Sequence, residues 1–299
     1  MLDSSRLSLV DFCFASKARN FPVGKSRHTV DAFRTVCWFH SLRIASGATS
    51  TYQMDALIEC DPTSQTRSPV NLKNKWRSYR NGRHTPNLAL VKAVETKFPG
   101  SFAVLNHPLW SLLRLGRSVE VEVPSPLSRL PPSLFTVVWG GSVQSHHGLV
   151  LAPEWNAQRL RKIERQAGLD ALACLVALLR NAIESGDRRE AHIFSRSLCR
   201  MMLMMGRWLY AHGIAQPMVD YLEELLLPLA AHDGQRHSFG EQGFRSAANR
   251  LIGTASMFEA NENLLLTNVQ KADLMLDFLD DKFTCELSVL VGSVTCPGA

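Results

Sequence analysis

The sequence predicts a mainly α-helical protein with a helical N-terminal domain, a short connector in which strands are expected, and a helical C-terminal domain. Three observations predict this arrangement. Apolar residues recur at steps of three and four along most of the chain after residue 28, which is the spacing of a helix with one buried face. Gly, Pro and Asn residues interrupt these stretches where helices would end. Between residues 118 and 153 the pattern changes to alternating apolar residues and Pro- and Gly-rich sequence, which is typical of short strands and turns.

The composition is typical of a globular protein. The chain has 299 residues, of which 45% are hydrophobic and 20% are charged, and this length allows two domains. It has no apolar run of about 18 residues, the length that spans a bilayer. Its N-terminus mixes charged residues into the apolar part and lacks the cleavage site of a secretory signal. We therefore expect a cytoplasmic protein with no membrane partner.

The seven cysteines are scattered, and no two have C-x-x-C spacing. This pattern argues against a zinc ribbon, a disulfide scaffold and a thioredoxin-like site, so no metal site is expected. We expect buried, reduced thiols that pack as small hydrophobic side chains. The seven are Cys13, Cys37, Cys60, Cys174, Cys199, Cys285 and Cys296.

Charge is divided unevenly along the chain. Residues 1–117 hold 17 Lys and Arg against 7 Asp and Glu, whereas residues 118–299 hold 16 against 20. A polyanionic partner for the first part is therefore expected. The predicted organisation is an N-terminal arm at 1–28, a basic helical domain at 29–117, a connector at 118–153, and a helical domain at 154–299 that dimerises or binds a ligand or partner.

Two helices open the basic domain. The first begins near Thr29 and ends at Gly47. The second follows a capping box in which the Ser50 hydroxyl accepts from the amide three residues on and Gln53 reaches back. It ends before Pro62. The apolar face predicted for the first helix comprises Val30, Phe33, Cys37, Trp38, Leu42 and Ile44.

Two further helices carry most of the basic residues. Asn71 is the predicted N-cap of the third helix, and Asn81-Gly82 can adopt the left-handed conformation that ends it. Thr85-Pro86 would open the fourth, with Thr as the cap and Pro at the first helical position. The predicted buried faces comprise Leu72, Trp76 and Tyr79 in the third helix and Leu90, Val91, Val94 and Phe98 in the fourth.

The rest of the chain is predicted to contain short strands and then helices. The strands are expected at VEVEV (119–123), LFTVVWGG (134–141) and GLVLAP (148–153). Pro228 should kink or break the helix that contains it, and residues 287–299 are a strand or a frayed tail. The helices are expected at 154–167, 169–185, 188–212, 217–231, 241–260 and 268–283.

Three further patterns in the C-terminal part have structural interpretations. The Met-rich run at 201–210 indicates a core helix or a dimer contact, with a ligand pocket as the alternative. The acids of 274–283 indicate a solvated helix face, which could serve a basic partner. The histidines lack H-E-x-x-H spacing and are expected at the surface or at helix ends. They are His192, His212, His232 and His237.

The candidate functional site lies between Asn71 and His84, a stretch with five Lys or Arg residues and no acid. If Trp76 and Tyr79 pack inward, the opposite surface presents guanidinium, ammonium and amide groups. Lys and Arg bind phosphates, and Arg and Asn also hydrogen-bond to base edges in a major groove. The alternative interpretation is a solvated amphipathic helix without a ligand. The candidate DNA-binding residues are Asn71, Lys73, Asn74, Lys75, Arg77, Arg80, Arg83 and His84.

Trp76, Tyr79, Gly82 and Pro86 form the order W-x-x-Y-x-x-G-x-x-x-P, and Val91 and Val94 follow. This order resembles the stretch after the recognition helix in lambda-repressor-like (Cro/C1-type) helix-turn-helix domains, over at most residues 29–98. The family joins its second and third helices by a tight turn, whereas about ten residues, 61–70, intervene here. The resemblance implies that 71–80 is the recognition helix, with Asn71, Lys73, Asn74, Lys75 and Arg77 facing DNA and Arg80, Arg83 and His84 near phosphates.

These observations favour a DNA-binding protein, and a transcriptional regulator is the leading hypothesis. It would bind duplex DNA through 71–80, form a homodimer through its C-terminal helices and need no cofactor. The alternative is a non-enzymatic helical adaptor in a bacterial defence or toxin–antitoxin assembly, whose basic face meets an acidic protein or RNA. An enzyme has no supporting motif, since G-x-G-x-x-G, P-loop and G-x-S-x-G patterns are absent from the sequence. His146-His147 would point apart on a strand and make a poor metal site.

Overall fold

The computed structural model describes residues 27–59, 69–115, 130–139, 155–239, 243–283 and 291–295. For residues 59, 69–74, 139, 293 and 294 this description covers the backbone. The described chain is mainly α-helical, which confirms the predicted fold class. It divides into two compact units, one formed by Met1–Trp110 and Leu209–Met218 and the other by Ser111–Trp208 and Val219–Ala299.

Helices follow one another closely in the first part of the chain. Helix α3 packs against α1 and α2, and α5 packs against α1 and α4, so the short helices form one layered group. The bounds are α1 (Thr29–Ser46), α2 (Thr51–Glu59), α3 (Pro69–Arg80), α4 (Leu88–Lys97), α5 (Ser101–Leu105) and α6 (Pro108–Leu112).

Local sequence sets where these helices begin and end. Helix α1 ends as predicted at Gly47, whose φ is 67°. Helix α3 begins at Pro69 and not after the predicted cap Asn71, because proline suits a first turn in which its missing N–H has no partner to lose. The predicted cap Thr85 is also wrong. The Asn87 side chain accepts from the Leu90 amide at 2.8 Å, since asparagine is the stronger cap.

The capping box predicted for α2 is present in part. The Ser50 hydroxyl accepts from the Gln53 amide at 3.2 Å. The Gln53 side chain reaches back one residue further than expected, because its oxygen accepts from the Thr49 amide at 2.7 Å and from the Thr49 hydroxyl at 2.8 Å. Both ends of the box therefore satisfy amides that the first turn of a helix leaves unpaired.

An aromatic cluster forms the core of the first unit. Trp38 and Trp76 stack with their ring centroids 6.1 Å apart, and Tyr79 packs edge-on against both. The predicted inward orientation of Trp76 and Tyr79 is confirmed, since 0% and 6% of their surfaces are exposed. Ile44, predicted on the buried face of α1, is 50% exposed in the last turn, where the burial of that helix ends. The cluster also includes Phe39, Leu42, Met54, Ile58, Leu90, Val91, Val94 and Leu105.

The remaining elements are again mostly helical. Pro228 lies in a short 3-10 turn, so the predicted break at this proline is confirmed. The elements are α7 (Pro132–Trp139), α8 (Ala157–Glu164), α9 (Leu169–Ser185), α10 (Arg188–Met204), α11 (Gly206–Ala211), α12 (Ala215–Tyr221), a π-helical turn (Leu222–Leu226), a 3-10 turn (Leu227–Ala230), β1 (Gln235–Ser238), α13 (Gly243–Asn261), α14 (Asn268–Leu279) and β2 (Gly292–Thr295).

The strand expected at 134–141 is wrong, because Pro132–Trp139 forms helix α7. Pro132 occupies the first position of this helix, which proline tolerates well. Leu134 and Val138 are buried together at helical spacing, four residues apart. The strands expected at 119–123 and 148–153 lie outside the described residues.

Two short strands pair in the second unit. Strands β1 and β2 run antiparallel, with His237 opposite Ser293. The strand interpretation of 287–299 is therefore confirmed for Gly292–Thr295. The sequence analysis did not identify β1, because the four residues QRHS include no β-branched or strongly apolar side chain that would favour a strand.

Helices α9 and α10 form the centre of the second unit. Met201, Met202 and Met205 of the Met-rich run are at most 3% exposed, which confirms its interpretation as core. Cys37, Cys174 and Cys199 are buried free thiols, as expected. The other four cysteines lie outside the described residues. Of the helices that the structure describes, none combines the length and the apolar character needed to cross a membrane.

The acids of α14 and of the turn that follows it pair with arginines, which the sequence did not indicate. Asp277 and Asp280 lie 2.6 and 2.8 Å from the Arg161 guanidinium, and Asp273 lies 2.7 Å from that of Arg165. The expectation for 274–283 is wrong for Asp277, which is partly buried, whereas Asp280 is exposed as expected although its carboxylate pairs with Arg161. Asp281 remains exposed.

Candidate nucleic-acid interface

The predicted site residues lie on α3 and on the turn that follows it. Arg77, Arg80, Arg83 and His84 are exposed, and Lys75 is partly buried. Asn71, Lys73 and Asn74 lie in the first half of α3, and their side chains are outside the described part of the chain. The exposed basic side chains from Arg77 to His84 are called the basic surface below.

The inner face of α3 fixes the helix that carries these residues. Trp76 stacks on Trp38 of α1 with an angle of 15° between the ring planes, and Phe39 of the same helix contacts Trp76 with ring centroids 6.3 Å apart. Tyr79 adds an edge-on contact to Trp38 at 5.9 Å. Because large aromatic rings bury much apolar area in a specific geometry, α3 can neither rotate nor slide on α1 without losing these contacts.

The turn after α3 is held against α1 by a glycine and an arginine. Gly82 has a φ of 65°, and a β-carbon at this position would come within 2.9 Å of the Ala32 side chain. The Arg27 guanidinium donates to the Gly82 carbonyl, to the Asp31 carbonyl at 2.8 Å and to the Thr85 hydroxyl at 3.1 Å. The direction in which the chain leaves α3, and so the position of Arg83 and His84, is fixed by these contacts.

The cations of the basic surface are not neutralised by those acids of the same unit whose side chains the structure describes. Arg77, Arg80 and Arg83 form no ion pair with any residue that the structure describes. Asp31 pairs instead with Arg34 at 3.5 Å. The Glu95 carboxylate accepts from the amides of residues 100 and 102 at 2.8 and 2.6 Å, and these hydrogen bonds hold the pKa of Glu95 below its usual value.

His40 of α1 lies near the basic surface but adds no charge to it. Burial, together with the nearby charges of Arg43, His212 and Arg80, lowers the pKa of His40 to about 4. The imidazole is therefore neutral at neutral pH, and the positive charge of this region comes from its arginines and lysines. Sequence reasoning missed both His40 and Arg27, since neither belongs to a pattern that links it to α3.

A rigid helix with several unpaired guanidinium groups on one side can bind closely spaced negative charges. Guanidinium groups hydrogen-bond to phosphates and to guanine edges in fixed geometries, and a helix whose orientation is already set loses little conformational entropy on binding. The chemistry that this surface supports is recognition of a polyanion.

The described residues offer no comparable site for a metal. Within the described ranges, no group of three or more His, Cys, Asp or Glu side chains could hold a metal ion. Two of the histidines are buried, His212 with 8% and His237 with 7% of its surface exposed. His212 directly follows α11, which agrees with the expected helix-end position, whereas the expectation is wrong for His237, which lies within β1. His212 is drawn inward by the turn at Gly213, where a β-carbon would lie 2.8 Å from the His40 ring, and His237 is drawn inward by the pairing of β1 with β2. His146-His147 lies outside the described residues.

Comparisons of the whole chain with known protein families, with curated proteins and with solved structures find no match. The resemblance to lambda-repressor-like domains therefore stays a prediction that rests on the motif from Trp76 to Pro86.

Proposed function

We propose that the protein binds duplex DNA through α3 and the turn that follows it, and that it acts as a transcriptional regulator. The observation that supports the proposal is the basic surface itself. Arg77, Arg80 and Arg83 are exposed and without ion-pair partners among the described residues, on a helix that Trp76 and Tyr79 fix to α1.

The dimensions of α3 are suitable for a major groove. Its 12 residues give a length of about 18 Å, and a single helix of this kind is the usual reading element of helix-turn-helix proteins. Asn71, Lys73, Asn74, Lys75 and Arg77 would face the bases, and Arg80, Arg83 and His84 would contact phosphates. A homodimer through the C-terminal helices in which two copies of α3 lie about 34 Å apart would match successive major grooves.

The test reverses charge on the proposed surface and on a matched surface of the second unit. The full-length variant K73E/R77E/R80E is compared with K162E/R188E/R189E, which changes the net charge by the same amount at exposed positions of α8 and α10. Binding to a pool of random-sequence DNA duplexes is measured by fluorescence anisotropy at low salt. We expect the first variant to bind roughly 10- to 100-fold more weakly than wild type and the second to change little, because phosphate contacts dominate such binding.

The same variants distinguish DNA binding from the adaptor hypothesis. An RNA pool and a pull-down of protein partners are assayed in parallel. If K73E/R77E/R80E loses a protein or RNA partner but retains duplex binding, the adaptor hypothesis is favoured. Equal losses of duplex binding in the two variants would show that net charge, and not the basic surface, governs binding, and would overturn the proposal.

A further inference from the structure

A cleft of about 480 Å³ opens in the second unit. Helices α8 and α10 and the end of α14 line it, and its chemistry-bearing residues are Trp155, Arg161, Glu164, Arg196, Arg200 and Asp280. Its volume lies in the usual range for small-molecule sites, about 300–1,000 Å³. The cleft brings together three arginines and an aromatic ring. Packing of a helical core does not explain this set of residues.

Two of the three arginines are held in place by acids. Arg200 is buried and lies 2.6 Å from Asp280 and 3.3 Å from Glu164. Arg161 lies 2.8 Å from the other oxygen of Asp280. Asp280 therefore bridges the two guanidinium groups and fixes both at the cleft. Burial raises the pKa of Glu164, because a buried carboxylate loses the solvation of its charge.

The third arginine has no such partner. Arg196 lies one helical turn before Arg200 on α10, so the two side chains share a face of the helix. It lines the cleft, is exposed, and forms no hydrogen bond or ion pair with any residue that the structure describes. The lining thus carries three guanidinium groups and two carboxylates. Arg196 is the guanidinium group that pairs with neither carboxylate, and it is exposed.

Another part of the lining is apolar. Trp155 is held by an edge-on contact with Phe194, with ring centroids 5.5 Å apart, and Leu160 and Ile193 lie beside it in the lining. Ile193 is 38% exposed, an unusual position for a large apolar side chain in the middle of a helix. The cleft therefore pairs a flat apolar wall with a cation, which is the pattern of a site for an amphiphilic anion.

We infer that this cleft binds a small organic anion with a flat apolar body, whose carboxylate or phosphate group pairs with Arg196 while its body lies against Trp155. Arg200 and Arg161 lie in the same lining but are already paired with Asp280, so Arg196 supplies the charge that meets the anionic group. The inference stands independently of DNA binding, because it rests on residues of the second unit and on none of the basic surface.

The experiment measures binding of four probes to the full-length protein by titration calorimetry. The probes are 1-naphthoate, 1-naphthyl phosphate, the neutral 1-naphthamide and inorganic phosphate. We expect both naphthyl anions to bind at least about tenfold more tightly than the amide and than inorganic phosphate, because the cleft should require both a charge and an apolar body. The tighter of the two anions identifies the preferred anionic group.

Variants locate the binding. R196Q should weaken binding of the tighter anion about tenfold, the usual loss for one charge-assisted hydrogen bond, and W155F should weaken it less. R189Q, an exposed arginine of α10 outside the cleft, should leave it unchanged. Equal affinity for 1-naphthoate and 1-naphthamide, unchanged affinity in R196Q, or no binding of either anion at about 1 mM would each overturn the inference.

Discussion

At the scale of single residues, the basic surface depends on a glycine that carries no charge. Gly82 combines two requirements. Its φ of 65° lies in the left-handed region, where a side chain is strained, and its α-carbon faces α1 so closely that a β-carbon would meet both Ala32 and Val36. The left-handed conformation can be predicted from Asn81-Gly82, because it is a local property of a helix end. The second depends on a residue fifty positions away.

These two requirements can be separated by comparing Gly82 with Gly47. Gly47 has a nearly identical φ of 67°, but a β-carbon there would have nothing within 4 Å. G47A should therefore cost about 1 kcal/mol of unfolding free energy, from backbone strain. G82A should cost about 2–4 kcal/mol, because the added methyl group must also displace Ala32. Urea denaturation followed by circular dichroism measures both. Equal losses in the two variants would show that the close approach to α1 does not matter.

The N-terminal end of α4 also depends on single residues, and the sequence predicts it wrongly. Asn87 and Thr85 are both good caps, and the sequence alone does not determine which side chain reaches an amide. In the structure the Thr85 hydroxyl accepts from Arg27 instead. Arg27 in turn precedes α1 and is distant from Thr85 in sequence, so this competition could not be inferred from local pattern.

At the scale of elements, the spacing of apolar residues predicts which face of a helix is buried. It does not predict contacts with residues that are distant in the sequence. Trp76 and Tyr79 were placed on the buried face of α3 because both lie at helical spacing with Leu72. The ion pairs of the acids at the end of α14 could not be predicted from spacing. Asp277 and Asp280 alternate with apolar residues just as exposed acids would, but Arg161, more than 110 positions earlier, occupies the space in front of them.

His237 of strand β1 makes the stability of the second unit depend on pH. His237 of β1 is buried, and its ring lies 4.1 Å, centroid to centroid, from that of His192 on α10. His192 and Arg196 of α10, with His232 and Asp233 of the adjoining turn, are the titratable and charged groups around this pair. Burial, together with the nearby His192 and Arg196 of α10, lowers the pKa of His237 to about 4.

This lowered pKa makes stability fall as pH falls. The unfolded chain takes up a proton near the ordinary pKa of 6.5, whereas the folded chain takes it up near 4, so the contribution of neutral His237 is complete above pH 6.5 and is lost between pH 6.5 and 4. Between pH 7.5 and 5.5 the loss should be roughly 1 kcal/mol. Urea midpoints at the two pH values measure it in wild type and in H237Q, with H84Q as the exposed control.

We expect H237Q to reduce the pH dependence and H84Q to leave it as in wild type. Some dependence should remain in H237Q, because burial lowers the pKa of His40 and of His192 as well. An H237Q variant whose midpoints shift with pH as much as those of wild type would show that β1 does not hold this imidazole neutral.

At the scale of the whole molecule, the mainly helical class followed from periodicity, but the division of the chain did not. Residues Leu209–Met218 belong to the first unit together with Met1–Trp110. The sequence alone predicts that they belong to the C-terminal domain at 154–299, with the residues on either side of them. The contact that marks this segment is the approach of Gly213 to His40. Such a contact joins residues more than 170 positions apart, and no local pattern in a single sequence carries that information.

The proposed roles within the basic surface predict different effects for its arginines. Arg80 and Arg83 are assigned to phosphates, and Arg77 to a base edge. When a protein neutralises phosphates, the logarithm of its affinity falls with the logarithm of salt concentration by about 0.9 per phosphate contact. Removing two such contacts in R80Q/R83Q should therefore make the slope less negative by about 1.8. R77Q should leave the slope closer to that of wild type and cost about 1–3 kcal/mol at one base position.

The measurement first selects a preferred duplex from a random pool and then titrates salt for wild type and both variants on that duplex and on its single-base variants. In the expected result R80Q/R83Q changes the slope on every duplex alike, and R77Q removes the preference at one position. The exposed pair R188Q/R189Q serves as control, since it removes two positive charges from α10 and should leave the slope unchanged. A slope that changes equally in R80Q/R83Q and in this control would mean that DNA responds to total charge. The assignment of phosphate contacts to the turn after α3 would then be wrong.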